Sequence, residues 1–480
     1  MLYEYLAAYC EGGPYPMHMP GHKRNPAFEM VNPYTIDVTE VEGLDNLHCP
    51  AGIIREFMNR MKDFYKTEET YLLVGGSTCG ILSAVSACCR KGDVVVMDRG
   101  CHGSVYHAVC LLGLRPVYLM PEIEAETGIS LGVSPDEVKR KIKQALHAAP
   151  GTKPGAVIIT SPTYEGVVSD IEKIAEIAHG NEIPLIVDEA HGAHFPWAHG
   201  MVNKMPVSAI SGGADIVIQS LHKTLPALTQ TALLHLHTKR VSRGEIERWL
   251  DVFETSSPSY VLMASADQCL SYLWRQGRPA FSELGKKLDA FYDLAGKWKL
   301  FSLWEHAGKD PAKLVIRTEG SGLSGPQLGK LLRDEYQLEI EMEASSYVIA
   351  ICSVADSGEG LTHLASAIQD IERRLSGKGR RADDVPAAVF GGYGKHVDAG
   401  PEICMDAYEA MTGQSIPVPI AESIGRISAE YAMIYPPGVP FLVPGERITE
   451  TVIRYFSEAE KYSLVLTGLM DKEGKNIRVL

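Results

Sequence analysis

Between Tyr71 and about Leu236 the chain alternates short, uniformly apolar runs with amphipathic segments, and this alternation constrains its fold more than any other feature. The runs are Tyr71–Val74, Val94–Met97, Pro116–Leu119, Ala156–Thr160, Leu185–Val187, Ile216–Ile218 and Ala232–Leu236. Between two of them Ile171, Ile174, Ala175 and Ala178 fall at i, i+3, i+4 and i+7, one face of a helix. Strands that are apolar on both faces need cover on both sides. The pattern therefore predicts an α/β fold with a mostly parallel sheet between helices. Open sheets of this kind bind ligands outside the carboxyl ends of their strands. The residues that follow each run are thus the first place to look for chemistry.

The flanks organise around that core. Residues 1–50 are rich in Pro, Gly and His (Met17-His18-Met19-Pro20-Gly21-His22-Lys23) and read as an arm laid over another part of the molecule. A large domain is expected over 51–275. A smaller α/β domain follows over 276–376, with strands Leu314–Arg317 and Tyr347–Cys352 and helices Gln327–Glu335 and Leu361–Leu375. A polar linker at 377–385 leads to a C-terminal domain over 386–480. No stretch approaches the roughly 20 apolar residues of a membrane span, and no basic then apolar leader opens the chain. Ten scattered cysteines, without a CxxC pair, read as reduced thiols in a cytoplasmic protein. The net charge of -14 argues against nucleic acid as a partner and mildly favours a cationic ligand.

Four motifs sit at successive strand ends. Gly75-Gly76-Ser77-Thr78-Cys79-Gly80 follows the first run and opens a helical pattern. Its glycines, hydroxyls and helix N-terminus suit one phosphate; it is neither GxGxxG nor Walker A, which disfavours a dinucleotide or nucleoside triphosphate. Asp98-Arg99-Gly100-Cys101-His102 ends the second run, where His102 can lie against an aromatic ring or serve as a structural histidine. Asp188 ends the Leu185–Val187 run and can hold a proton on a ring nitrogen, cap a turn, or join His191, His194 and His199 in a metal site. Ser220-Leu221-His222-Lys223-Thr224 follows Ile216–Ile218. A desolvated lysine at a strand mouth is what a Schiff-base enzyme needs. A phosphate cradle, a stacking group, a pyridinium partner and a Schiff-base lysine are together the requirements of pyridoxal 5′-phosphate (PLP).

The sequence resembles the Orn/Lys/Arg decarboxylase family of fold-type-I PLP enzymes, in a short form similar to biosynthetic arginine decarboxylases. The matching stretches are Met19-Pro20-Gly21-His22-Lys23, Leu44-Asp45-Asn46-Leu47-His48, Asp98-Arg99-Gly100-Cys101-His102, Val187-Asp188-Glu189-Ala190-His191-Gly192, Ser220-Leu221-His222-Lys223, Gly425-Arg426-Ile427 and Tyr435 to Glu446. The resemblance implies an aspartate-aminotransferase-like large domain over 51–275 that binds PLP, and a family-specific C-terminal domain. It implies that Lys223 carries the cofactor as a Schiff base, that Asp188 pairs with its ring nitrogen and that His102 stacks on the ring. Gly76, Ser77, Thr78, Ser220 and His222 surround the phosphate, and His191 belongs to the cofactor contacts. Thr255 and Ser256 resemble a segment that reaches the phosphate of a neighbouring subunit, which implies a homodimer with shared sites. Lys223, Asp188, His102 and His222 are the expected catalytic set.

The resemblance implies decarboxylation of a basic amino acid, with arginine to agmatine favoured over lysine to cadaverine or ornithine to putrescine. Glu422 and Glu446 are the expected acidic contacts for the substrate's far end, and no metal is expected. An aminotransferase or β-eliminating lyase is the alternative within the same fold. An aminotransferase needs an arginine clamp on the substrate carboxylate, for which Arg317, Arg426 and Arg447 stand as candidates. A metal-dependent hydrolase built on Asp188 and the nearby histidines is the alternative of another class.

Overall fold

The computed structural model describes residues 1–148, 153–376 and 400–480; the linker expected at 377–385 lies outside the described residues. The seven apolar runs form one seven-stranded sheet: β1 (Glu69–Leu73), β2 (Val94–Asp98), β3 (Arg115–Leu119), β4 (Val157–Thr160), β5 (Leu185–Asp188), β6 (Ile216–Ser220) and β7 (Ala232–Leu236). Their order across the sheet is β1-β7-β6-β5-β4-β2-β3. Neighbours from β6 to β3 pair in parallel, while β7 runs antiparallel to both β6 and β1. Every residue of β1, β2, β6 and β7 is buried, as expected of strands covered on both faces. The ladder runs on past the apolar letters into Asp188 and Ser220. At these residues the backbone pairing continues while the side chains have turned polar.

The helix read from the 171–178 spacing spans Ile171–His179 and buries Ile171, Ile174, Ala175 and Ala178. Asp170 caps its start by accepting the Lys173 amide at 3.2 Å. A 36-residue helix, Tyr260–Ala295, leads from the large sheet toward the next layer. Residue 275, where the sequence placed the end of the large domain, lies inside this helix. Beyond it an antiparallel four-stranded sheet is built from Met342–Glu343, Tyr347–Ile351, Lys313–Arg317 and Ser302–Leu303, in that order. Helices Gly325–Tyr336 and Gly358–Ser376 accompany it. The C-terminal part adds a two-stranded sheet (Ile416–Pro419 with Asn476–Val479) and a three-stranded one centred on Ala432–Ile434. Among the described residues no helix is long and apolar enough to cross a membrane.

The N-terminal arm is more regular than its composition suggests. Leu2–Gly12 forms a helix in which Leu2, Tyr5, Leu6 and Tyr9 fall at i, i+3, i+4 and i+7, yet none of its residues is buried within this chain. Tyr15–Met17 then pairs in parallel with Leu338–Ile340. Farther along, the Gly21 amide donates to the His222 carbonyl at 2.7 Å. A Cβ at Gly21 would come within 2.6 Å of the Leu225 carbonyl oxygen, so only glycine permits this approach. The arm is laid directly over the turn that carries Lys223.

The C-terminal part is fastened to the large sheet by a buried ion pair. Arg99, just past β2, reaches Glu446 at 3.2 Å, and both side chains are at most 3% exposed. The same guanidinium donates to the Tyr106 hydroxyl (2.6 Å) and the Pro440 carbonyl (2.9 Å), and the Val443 amide donates to Glu446 (2.9 Å). Removing one member of such a pair strands the other charge away from water. Glu446→Ala is expected to cost about 3 kcal/mol or more, read as a drop of several degrees in the thermal midpoint. The double variant with Arg99→Met should recover part of that loss, and additive losses would show that the pair is not coupled.

Candidate functional site

Five strand ends converge on one pocket of about 430 Å³. After β1 the chain turns at Gly76, whose φ of +73° favours glycine, into helix Gly76–Cys88. Ser77 and Thr78 stand in the first turn of that helix and line the pocket. The Ser77 hydroxyl meets the Ser220 hydroxyl from the end of β6 at 2.6 Å. Hydroxyls beside a helix N-terminus are donors of the kind that suit an anion such as a phosphate. His222 lines the same pocket; its Nδ1 donates to the Thr231 carbonyl at 3.2 Å, and burial pushes its pKa down to about 4, so its ring is neutral at pH 7.

The end of β2 supplies His102, which caps helix Gly103–Leu111: its Nδ1 accepts from the Ser104 amide at 3.2 Å and contacts the Ser104 hydroxyl at 2.9 Å. Its ring is open to the pocket. The Pro437-Gly438 turn approaches from the C-terminal part, with the Gly103 amide donating to the Gly438 carbonyl at 3.1 Å. Asp188, at the end of β5, is buried in the pocket wall, and its Oδ1 accepts the Ala190 amide at 3.1 Å.

Lys223 is half-buried in the pocket wall, and desolvation holds its ammonium below the usual lysine range. Its Nζ lies 3.1 Å from His191 Nε2, and the other ring nitrogen of His191 lies 2.8 Å from Lys313 Nζ. Burial, followed by the two lysines, holds the His191 pKa well below the ordinary value. Lys313 is fully buried at the start of Lys313–Arg317, and burial pushes its pKa down to about 8. Its Nζ sits 5.2 Å from the centre of the Tyr164 ring, and the Tyr164 hydroxyl donates to Glu341 at 2.5 Å.

The structure thus brings Gly76, Ser77, Thr78, His102, Asp188, His191, Ser220, His222 and Lys223 to one pocket. It does not bring the expected substrate carboxylates there. Glu446 is spent on Arg99, and Glu422 is exposed at the end of the short helix Ile420–Glu422, away from the pocket lining. Thr255 and Ser256 are exposed and lie outside the pocket of their own chain. The proposed metal donors also point apart. His191 is held between two lysines, His194 faces Asp310 at 3.1 Å, and His199 Nδ1 faces the Met205 carbonyl at 3.3 Å. Among the described residues no arginine lines the pocket. Arg317 pairs with Glu319, and Arg447 with Glu402 at 2.9 Å.

Sequence reading missed Tyr164, Glu165, Lys313 and Glu341. A signal existed for the first two: Ser161-Pro162-Thr163-Tyr164-Glu165 directly follows β4, and Tyr164 and Glu165 line the pocket. The Tyr347 hydroxyl donates to Glu165 at 2.9 Å. Lys313 and Glu341 come from the smaller unit, and nothing in their local sequence points to the pocket.

These residues fit PLP on the structure's own terms. An amine lowered by burial, a hydroxyl pair beside a helix N-terminus, a buried carboxylate and an imidazole line the same pocket. Comparison with known proteins points the same way. Residues 1–294 match the family model described as "Orn/Lys/Arg decarboxylase, major domain", and residues 398–472 match "Orn/Lys/Arg decarboxylase, C-terminal domain". The chain is 31% identical over 500 residues to an arginine decarboxylase of Bacillus subtilis, covering 100% of this chain and 97% of that protein. It is 30% identical over 496 residues to an arginine decarboxylase of Halalkalibacterium halodurans, with the same coverage. Among solved structures, a lysine decarboxylase of Francisella novicida superposes with a TM-score of 0.79 at 19% identity, covering 95% of this chain and 76% of that chain. That likeness is one of fold, and the fold is that of the fold-type-I PLP enzymes.

Ser77→Ala removes one hydroxyl of the anion site and leaves the Ser220 hydroxyl without its partner. It is expected to weaken PLP binding about tenfold, the loss of one hydrogen bond to a charged group. Fluorescence titration of the full chain with PLP measures this; unchanged affinity would place the phosphate elsewhere.

Proposed function

The chain belongs to the Orn/Lys/Arg decarboxylase family of PLP-dependent enzymes, and from that premise we propose that it removes the α-carboxylate of arginine, giving agmatine and carbon dioxide. The observation that carries this reading is the desolvated Lys223 amine at the mouth of β6, in one pocket with Asp188, His102 and the Ser77–Ser220 pair. The name shared by the two bacterial relatives supports arginine over lysine or ornithine.

When bound, PLP supplies a sink for the electron pair left as the bond from Cα to the carboxylate breaks. The chain's residues prepare the rest. Lys223 Nζ is the nucleophile that holds the cofactor, and Ser77, Thr78, Ser220 and His222 hold its phosphate. Asp188 keeps a proton on the ring nitrogen; an electrostatic partner of this kind is typically worth about 3–4 kcal/mol of barrier. His102, whose ring is open to the pocket, would lie against the cofactor's ring. Tyr435, Pro437 and Val439 line the pocket from the C-terminal part and would shield a bound substrate. The proton that returns to Cα is assigned to Lys223 Nζ, a free base that takes it up from the entering substrate's ammonium; His222 is neutral near pH 7 and its Nδ1 donates to the Thr231 carbonyl.

The charge of the pocket suits a basic substrate. Among the described residues its acidic lining is Asp98, Glu165 and Asp188. With Asp188 assigned to the cofactor and Glu446 committed to Arg99, Glu165 is the carboxylate proposed to meet the substrate's cationic end. That no arginine lines the pocket among the described residues supports decarboxylation over transamination.

The working unit is proposed to be a cytoplasmic homodimer, in which the partner subunit supplies Thr255 and Ser256 to the phosphate. Exposed apolar residues in the arm, Leu2 (74%), Tyr3 (83%), Tyr5 (71%) and Tyr34 (90%), support a second copy as their cover. All ten cysteines are free, which supports a reducing compartment. Sedimentation of the full chain should show a dimer, and a monomer carrying full activity would contradict the shared site.

The direct test is a product assay with arginine, lysine and ornithine side by side. Carbon dioxide and agmatine are expected from arginine, and no carbon dioxide from any of the three would overturn the reading. Keto-acid formation would mark an aminotransferase instead. Lys223→Ala should abolish both turnover and the yellow colour of the loaded protein.

A further inference from the structure

Lys313 lies outside the expected catalytic set, yet it is a buried amine that reaches the site through one imidazole. His191 stands between two lysines, with Nε2 3.1 Å from Lys223 Nζ and Nδ1 2.8 Å from Lys313 Nζ. A neutral imidazole has one N–H and one lone pair, whereas an ammonium has donors only. If both amines were charged, one ring N–H would face an ammonium. If the ring were also protonated, three cations would share a buried space. When the recess holds one charge the geometry is satisfied: one lysine is an ammonium that donates to the ring, and the other is a free amine that accepts from it.

The surroundings decide which lysine is which. Lys313 has the shorter contact, as a charge-assisted bond should. It also has the face of Tyr164 beside it at 5.2 Å, and Glu341, Asp310 and Glu165 within electrostatic reach. Lys223 faces Asp188 and Glu341, together with the neutral His191, His102 and His222. Lys309 packs behind, donating to the backbone carbonyls of Asp310 (3.1 Å) and Lys313, so its charge is directed away from the ring.

We propose that Lys313 is a positioning residue: as an ammonium it donates to His191 Nδ1, fixes the imidazole proton on Nε2, and so holds the Lys223 amine as the free base that captures the cofactor. The inference rests on the proposed role of Lys223. The second lysine thus keeps the cation on the far side of His191 from the nucleophile, near Asp310 and the Tyr164 face. Desolvation lowers both amines, Lys313 to about 8, so the placing of the one charge rests on the shorter contact and on the Tyr164 face, and not on their titration.

The test follows the capture of PLP by the full chain, measured as the rate at which visible absorbance appears across pH. Capture needs the free base of Lys223, so the rate rises through the pKa of that amine. Lys313→Met removes a neighbouring cation and unlocks the ring, and the amine then holds its proton more tightly. The rising limb should move to higher pH by about one unit, which makes capture near pH 7 about tenfold slower. Lys313→Arg keeps a cationic donor and should restore the wild-type limb. An unmoved limb in Lys313→Met, or the same shift in both variants, overturns the proposal. Nitrogen-15 spectra of the wild-type histidine rings read the tautomer directly, whether or not the variants fold. A proton on His191 Nε2 is expected, and one on Nδ1 overturns the proposal. If Lys223→Ala still captures PLP covalently, the reading of Lys223 itself fails. If it does not, and the Lys313→Met limb stays put, this inference alone fails.

Discussion

In a parallel sheet every strand ends at the same edge, and the pairing register decides which side chains stand level there. Thr160 at the end of β4 pairs with Asp188 at the end of β5, and Asp188 pairs with Ile218 two residues before Ser220. Slipping one strand by a single residue would turn its side chains to the opposite face. Close packing of the apolar interiors, together with the polar Asp188 and Ser220 at the strand ends, opposes such a slip. The site therefore depends on residues that never touch it. Ile186, Val187, Ile216 and Val217 are buried core residues whose packing sets the height of Asp188 and Lys223.

A second constraint is the cost of charge in that crevice. The structure collects several titratable groups there and keeps most of them neutral: His222, His191 and one of two lysines. What charge remains is placed against a partner, as with Arg99 and Glu446, or Lys313 and its carboxylates. This explains why Glu446 is conspicuous in the sequence and absent from the pocket. A carboxylate next to the Pro-Gly turn of the C-terminal part can face the substrate or anchor that part to β2, and the buried guanidinium of Arg99 decides for the anchor.

The sheet was legible because strands covered on both faces carry unbroken apolar runs, and all seven runs became strands within a residue or two of the expected limits. The pocket lining from β1, β2, β5 and β6 was legible for the same reason, since residues just after such strands face the crevice. What escaped came from contacts distant in sequence. Lys313 reaches His191 across 122 residues, and Glu341 reaches Tyr164 across 177. No local periodicity encodes such a meeting. The helix at Leu2–Gly12 was passed over although Leu2, Tyr5, Leu6 and Tyr9 have helical spacing, because the Pro, Gly and His that follow it dominate the composition of the arm.

The central claim is that Lys223 is the one amine that bonds the cofactor, while Lys313, two short contacts away through His191, stays unbonded. Reducing the loaded protein with borohydride makes that bond permanent, and mapping the proteolytic peptides by mass locates it. The expected result is a single modified peptide, with the added mass on Lys223. Added mass on Lys313, on Lys23, or on no lysine at all would contradict the account.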